Sequence, residues 1–216
     1  MIEIIEEKND ISSIFIYVEN ILDEESYNLL KKELKKMNDW KNGKTYDDKE
    51  IQRLQKWYQV DNNIFCKKWK KKYKRWESHN YNDLLFKVQN IINKKVLKLL
   101  PNNNLIQKPI YNSILINYYR NGNDIIPSHQ DNYISFGRYP TISNLSIGEP
   151  RTLILERTFK DKLKRNKEEF NLNKKFLLND NSLLIMSGSS QRYYCHSINK
   201  DNTKNERYSL TFREYL

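Results

Sequence analysis

From Tyr111 to the carboxyl end the chain breaks into eight short runs, SILINYYR, IPSHQD, TISNLSI, RTLILER, KKFLL, SLLIMS, YYCHSI and RYSLTFR, separated by turn residues. Runs of this length, rich in Ile, Leu, Tyr and Thr, are strands rather than helices. Their number matches a double-stranded β-helix, or jelly roll, in which eight strands fold into two facing sheets. The expected architecture is mostly β with flanking helices (α+β). A jelly-roll core spans 109–216, and a region over 1–108 packs on it in one compact unit. The charged stretch from Phe159 to Asn173 interrupts the series and reads as a surface loop or hairpin insertion.

Before residue 109 the pattern is helical and highly charged. Asp23 precedes EESYNLLKKELKKM, where Tyr27, Leu30, Leu34 and Met37 recur at helical spacing and acids fill the first turn. A second apolar stripe, Leu84, Leu85, Val88, Ile91, Ile92, Val96 and Leu99, stops at Pro101 and an Asn run. Hydrophobic residues make up 38% of the 216, and Gly and Pro number only 5 each, which excludes a fibrous repeat or a generally disordered chain.

Lys and Arg outnumber Asp and Glu by 38 to 27, a formal charge of +11, which favours an anionic polymer such as nucleic acid as partner. A solvated basic surface accounts for the charge equally well. Two cysteines, Cys66 and Cys195, cannot make a disulfide framework, and MIEIIEEKND is acidic where a targeting segment is basic and then apolar. An intracellular, reducing compartment is expected, with no membrane association and a monomeric state.

Trp40 to Asn80 interleaves four Trp and several Tyr with the basic run KKWKKKYKRW. Aromatic faces stack bases while cations follow phosphates, so this mixture suits an unstacked nucleotide; aromatics packed on the core would look the same. Asn42-Gly43 reads as a turn, and the residues around it could form a hairpin. His79, isolated among polar residues, reads as a surface residue.

His129-Gln130-Asp131 is an H-x-D triplet on or beside a strand, where residues two apart share a face and can meet one metal. His196, in the strand YYCHSI, offers a second imidazole. Two His and one carboxylate with an open opposite face hold Fe(II) in non-haem oxygenases, and would equally hold zinc. Cys195 should face away from the ligands as a core thiol. The last strand, RYSLTFR, carries Arg207 and Arg213 on one face, able to clamp the carboxylates of a 2-oxo diacid.

Taken together these motifs resemble the AlkB family of Fe(II)- and 2-oxoglutarate-dependent nucleic-acid dealkylases. The family pattern is H-x-D, then His, ten residues, Arg, five residues, Arg, and His196, Arg207 and Arg213 keep those intervals. LINYYRNGNDIIPSHQD matches the family's Asn-x-Tyr strand, Gly turn and H-x-D. The resemblance is close from Asn112 to Leu216 and looser over Trp40 to Asn80.

It implies Fe(II) on His129, Asp131 and His196, with 2-oxoglutarate and O2 as co-substrates. Asn117 and Tyr119 would hydrogen-bond 2-oxoglutarate, Arg213 its distal carboxylate and Arg207 its iron-proximal end, with Ser209 between them where many members have Asn. The implied reaction is oxidative demethylation of 1-methyladenine- or 3-methylcytosine-type bases in DNA, a direct-reversal repair. The alternatives are the same chemistry on RNA or a protein side chain, or a catalytically silent nucleic-acid-binding module.

The region 1–108 would then carry the nucleotide-recognition lid. Trp57, Tyr58, Tyr73 and Trp76 are candidates to stack on the base, and Lys44 to Tyr46 a finger. Asn132 and Tyr133 stand where the repair members carry an acidic pair, one of which helps choose the base.

Overall fold

In the computed structural model, residues 1–7, 11–44, 49–60, 78–102, 106, 108–158 and 173–215 are described. Two amphipathic helices form where the apolar stripes place them. The Asp23 carboxylate accepts from Ser26 N at 2.8 Å and starts α1 (Glu24–Lys36), with Glu24 and Glu25 in the first turn and Lys35 and Lys36 in the last. Asn82 caps α2 (Asp83–Leu99) by accepting from Leu85 N at 2.8 Å. That helix ends where Leu100 turns extended before Pro101.

All eight expected runs are strands: β5 (Ser113–Tyr119), β6 (Ile126–His129), β7 (Ile142–Gly148), β8 (Arg151–Arg157), β9 (Lys174–Leu178), β10 (Ser182–Gly188), β11 (Tyr194–Ile198) and β12 (Arg207–Arg213). Four more come from the first half: β1 (Ile2–Ile5), β2 (Ser13–Val18), β3 (Lys41–Lys44) and β4 (Glu50–Gln59). They join the larger of two antiparallel sheets, ordered β1-β2-β10-β7-β12-β5-β4-β3, which faces the smaller sheet β6-β11-β8-β9. This is the jelly roll, widened at both edges by strands from before residue 109.

Asn42-Gly43 is not the turn. Both lie inside β3, where Asn42 pairs with Leu54 of the antiparallel β4. Pairing with β4 satisfies the backbone there better than a turn exposed to water, and the register shift beside Gly43 absorbs the glycine.

The period-2 alternation of the large sheet sorts its side chains between two environments. Along β12, Tyr208, Leu210 and Phe212 join Ile114, Ile116, Leu145 and Ile185 beneath Leu30, Leu34, Val88, Ile92 and Val96 of the helices. A second apolar cluster, including Phe15, Ile142, Leu153, Leu155, Phe176, Leu184 and Met186, fills part of the space between the sheets. The remaining inner positions of β12 are Arg207, Ser209, Thr211 and Arg213, all buried. A row of polar and cationic groups therefore lines a groove between two otherwise apolar layers, an arrangement that costs stability unless those groups find partners.

Candidate metal centre

His129 ends β6 and His196 sits directly opposite on β11, their rings 4.2 Å apart between centroids. Asp131, two residues past His129, brings a carboxylate beside them. The ligand atoms of His129, Asp131 and His196 all lie within 4.8 Å of one another. His129 Nδ1 lies 2.9 Å from the Pro127 carbonyl, so it carries the proton there and leaves Nε2 with its lone pair.

Burial pushes both imidazoles toward the neutral form a metal needs, His129 downward despite Asp131 and His196, next to His129, to about 3. Asp131 would be raised by its burial, but Arg213 and the two imidazoles hold it at about 2. Two neutral nitrogens and one carboxylate are thus set at neutral pH.

Arg213 grips Asp131 bidentately, Nε to Oδ2 at 3.1 Å and Nη2 to Oδ1 at 2.9 Å, with its guanidinium over the Phe136 ring. Gln191, from the short helix α4 (Ser190–Tyr193), accepts from Asp131 N at 3.0 Å, and Gln130 donates to the Arg192 carbonyl at 3.0 Å. The H-x-D segment is thereby fastened on both sides of its aspartate.

Six residues along β12, Arg207 is 1% exposed, donates to Ser146 Oγ at 2.8 Å and lies 5.1 Å over the Tyr119 ring. Arg151 faces the same ring at 5.6 Å, but it is satisfied by the carbonyls of Asn121, Asp124 and Asn199 and by Asp201. Arg207 meets no carboxylate among the described residues, and its Nε and Nη1 are buried without a partner, as are Arg213 Nη1 and His196 Nδ1. The donor set suits Fe(II), and the orphaned donors suit an anion lying along β12 from the metal toward Tyr119. That second requirement separates this centre from a bare zinc site.

The pattern of the 2OG-Fe(II) oxygenase superfamily matches residues 15–213. The chain belongs to that superfamily. Among curated proteins this oxygenase is 35% identical over 105 residues to human alpha-ketoglutarate-dependent dioxygenase alkB homolog 3, covering 48% of this chain and 36% of that one. It is 30% identical over 122 residues to the DNA oxidative demethylase ALKBH2 of Arabidopsis thaliana, covering 49% and 38%. The AlkB resemblance is borne out, and the chain spans little more than a third of the length of these relatives.

Of solved structures, OsALKBH1 superposes with a TM-score of 0.60 at 12% identity over 93% of this chain and 97% of that one. A Trichoplax adhaerens prolyl hydroxylase in complex with a hypoxia inducible factor peptide fragment gives 0.60 at 13% over 94% and 83%. At such identities these show the fold.

Several expected residues sit elsewhere in this oxygenase than the sequence suggested. The two arginines exchange ends: Arg213 touches the metal ligand Asp131, and Arg207 lies at the far end beside Tyr119, because β12 runs antiparallel to β5 with Arg213 opposite Ser113 and Arg207 opposite Tyr119. Asn117 and Tyr119 do face the groove, opposite Ser209 and Arg207. Ser209 is there too, exchanging hydrogen bonds with Asn144.

Tyr58 cannot stack on a base. It points to the helical side of the sheet, in the core with its hydroxyl on Met37 Sδ. Trp57 faces the groove side but is 2% exposed, packed on Leu115 and Phe136, so it is a wall and not an open stacking face. Asn132 is half-buried and its carbonyl accepts from Ser135 and Phe136, opening α3 (Tyr133–Phe136). Lys44 ends β3. Tyr46, Tyr73, Trp76, Cys66 and the stretch 159–172 lie outside the described residues, as do the side chains of Lys44 and Tyr133.

Cys195 is half-exposed, not core. His79 is half-buried beside Tyr58, bonded through its backbone to Trp57 and Gln59 and away from the triad. Sequence reasoning missed Arg53, Gln55, Asn144 and Gln191. Arg53, Gln55 and Gln59, polar at alternate positions of β4 and interrupted by Trp57, were the signal that a strand there borders a polar groove.

Proposed function

We propose that the chain is an oxidative dealkylase of N-alkylated nucleobases in DNA, of the 1-methyladenine and 3-methylcytosine type. The observation that carries the oxygenase half of this reading is Arg207, a buried guanidinium with no anion among the described residues, on the same strand face as the arginine that grips Asp131. A diacid is the ligand that answers it. The nucleobase half rests on the names of the AlkB relatives and on the +11 charge.

Bound Fe(II) would couple decarboxylation of 2-oxoglutarate by O2 to oxidation of a carbon–hydrogen bond, leaving succinate, CO2 and a hydroxylated methyl that departs as formaldehyde. The protein's own contribution is positional and electrostatic. Arg207, with Tyr119 beneath it, binds the distal carboxylate. Arg213 and Asn117 hold the acid's near end against the metal, so that end cannot turn away.

His129 and His196 stay neutral, and Asp131 stays charged, across the working pH range. His196, Arg207 and Arg213 are buried, which strengthens the contacts they make. A base must leave its stack to reach this depth, so a flipped or single-stranded nucleotide is the substrate form.

Anaerobic addition of Fe(II) and 2-oxoglutarate is expected to give the weak visible charge-transfer band of a chelated 2-oxo acid, and His129→Ala to abolish it; a wild-type protein without the band overturns the reading. Mass spectrometry of methylated oligonucleotides, DNA and RNA, single- and double-stranded, then tests the substrate. Loss of methyl groups is expected from DNA. Removal from RNA alone, or from none, would overturn the choice of polymer or of nucleic acid.

A further inference from the structure

The two ends of an asparagine amide are chemical opposites, and here the surroundings decide which end faces which way. Asn117 Oδ1 accepts from Arg53 Nε at 2.8 Å and from Gln55 Nε2 at 3.0 Å. A guanidinium only donates, so the atom it meets has to be oxygen, and Gln55 must in turn present its NH2. All three side chains are buried. Asn117 Nδ2 donates to no group among the described residues, and it belongs to the strand face that carries Ser209 and Arg213.

Arg53 does more than join β4 to β5, which the backbone pairing of Leu54 through Gln59 already achieves. Burying a guanidinium for that purpose alone would cost stability. Its Nη1 donates to the Ile125 carbonyl at 3.2 Å, while Ile125 N donates to the Gln52 carbonyl at 3.2 Å. Ile125 precedes β6, the strand that ends on His129. Arg53 thus links the Asn117 amide to the strand that delivers a metal ligand, and its charge is close enough to work against protonation of His129.

We propose that Arg53 and Gln55 are positioning residues that lock the Asn117 amide with its NH2 turned into the groove, a preset donor for the iron-proximal carboxylate of a bound 2-oxo acid. The proposal rests on the 2-oxoglutarate reading of the groove. Preorganisation of this kind tightens binding because the donor does not have to be oriented when the ligand arrives. Toward the 2-oxo acid the pair acts through Asn117.

The test is a set of dissociation constants for 2-oxoglutarate, read from the anaerobic Fe(II) charge-transfer band, together with thermal midpoints of the metal-free proteins. Asn117→Ala is expected to weaken binding about tenfold. The pair Arg53→Met and Gln55→Leu should weaken it to the same level, and adding Asn117→Ala to that pair should cost nothing further. Asn117→Asp keeps an acceptor for Arg53 and Gln55 and so should keep its thermal midpoint, yet bind at least as poorly as Asn117→Ala.

Should Arg53→Met fail to fold, Gln55→Leu alone against Asn117→Ala carries the same comparison. Losses that add, or a Gln55→Leu protein that binds like wild type while Asn117→Ala does not, overturn this proposal. A wild type with no band overturns the 2-oxoglutarate reading and this proposal with it.

Discussion

Arg207 and Arg213 occupy the same face of one strand, yet among the described residues only Arg213 is paired with a carboxylate. Replacing Arg207 by Met should therefore move two measurements in opposite directions. Affinity for 2-oxoglutarate should fall roughly 10- to 100-fold with loss of a charge-assisted contact. The thermal midpoint of the metal-free protein should rise, because an apolar side chain replaces an uncompensated buried charge. A fall in both would mean that Arg207 is structural.

The triad makes a second residue-scale prediction. His196 is held down to about 3 by burial and by His129, and His129 is lowered by burial. Below about 6.5 the unfolded chain therefore binds protons that the metal-free fold refuses, so stability falls as pH drops from about 6.5 toward 3. Asp131, held at about 2, adds stability that is present above about 3.8 and lost below it. Urea unfolding of the metal-free protein across this range should show a declining midpoint, and His196→Gln should flatten the upper part of that decline.

At this scale the ligands were legible because spacing alone places His129 and Asp131 together. The order of the arginines was not, since it depends on which end of β12 the strand register sets against the metal.

Among the elements, α1 depends on a local device that can be tested alone. Asp23 accepts from both the amide and the hydroxyl of Ser26, at 2.8 and 3.0 Å. Asp23→Ala should destabilise the fold by about 1 kcal/mol, measured by chemical denaturation, with 2-oxoglutarate affinity unchanged. The eight core strands and both long helices could be read from sequence because their apolar periodicity is undisturbed. β4 could not. Its inward row is Arg53, Gln55, Trp57 and Gln59, so its polarity is the inverse of an ordinary strand with one face in the core. The same strand misled the search for stacking residues, because adjacent Trp57 and Tyr58 point to opposite faces and both are buried.

For the whole molecule, similarity to the curated AlkB relatives covers about half of the chain, while the fold continues through almost all of it. No helix among the described residues is long and apolar enough to cross a membrane. With a charge of +11, binding to a methylated oligonucleotide should weaken steeply as salt is raised, the logarithm of affinity falling linearly with the logarithm of salt concentration. A salt-independent affinity in fluorescence anisotropy would remove phosphate contacts from the account.

The unanswered donors of Arg207 have a consequence for the lifetime of the protein itself. A fold that keeps a cation in a dry groove is frustrated until an anion arrives, and whatever binds only the folded state shifts the folding equilibrium by mass action. At a hundredfold excess over its dissociation constant a ligand contributes about 2.7 kcal/mol, a sizeable fraction of the stability of a single domain. The co-substrate is then also a folding partner, and a cell short of 2-oxoglutarate would hold fewer folded copies of this chain as well as slower ones.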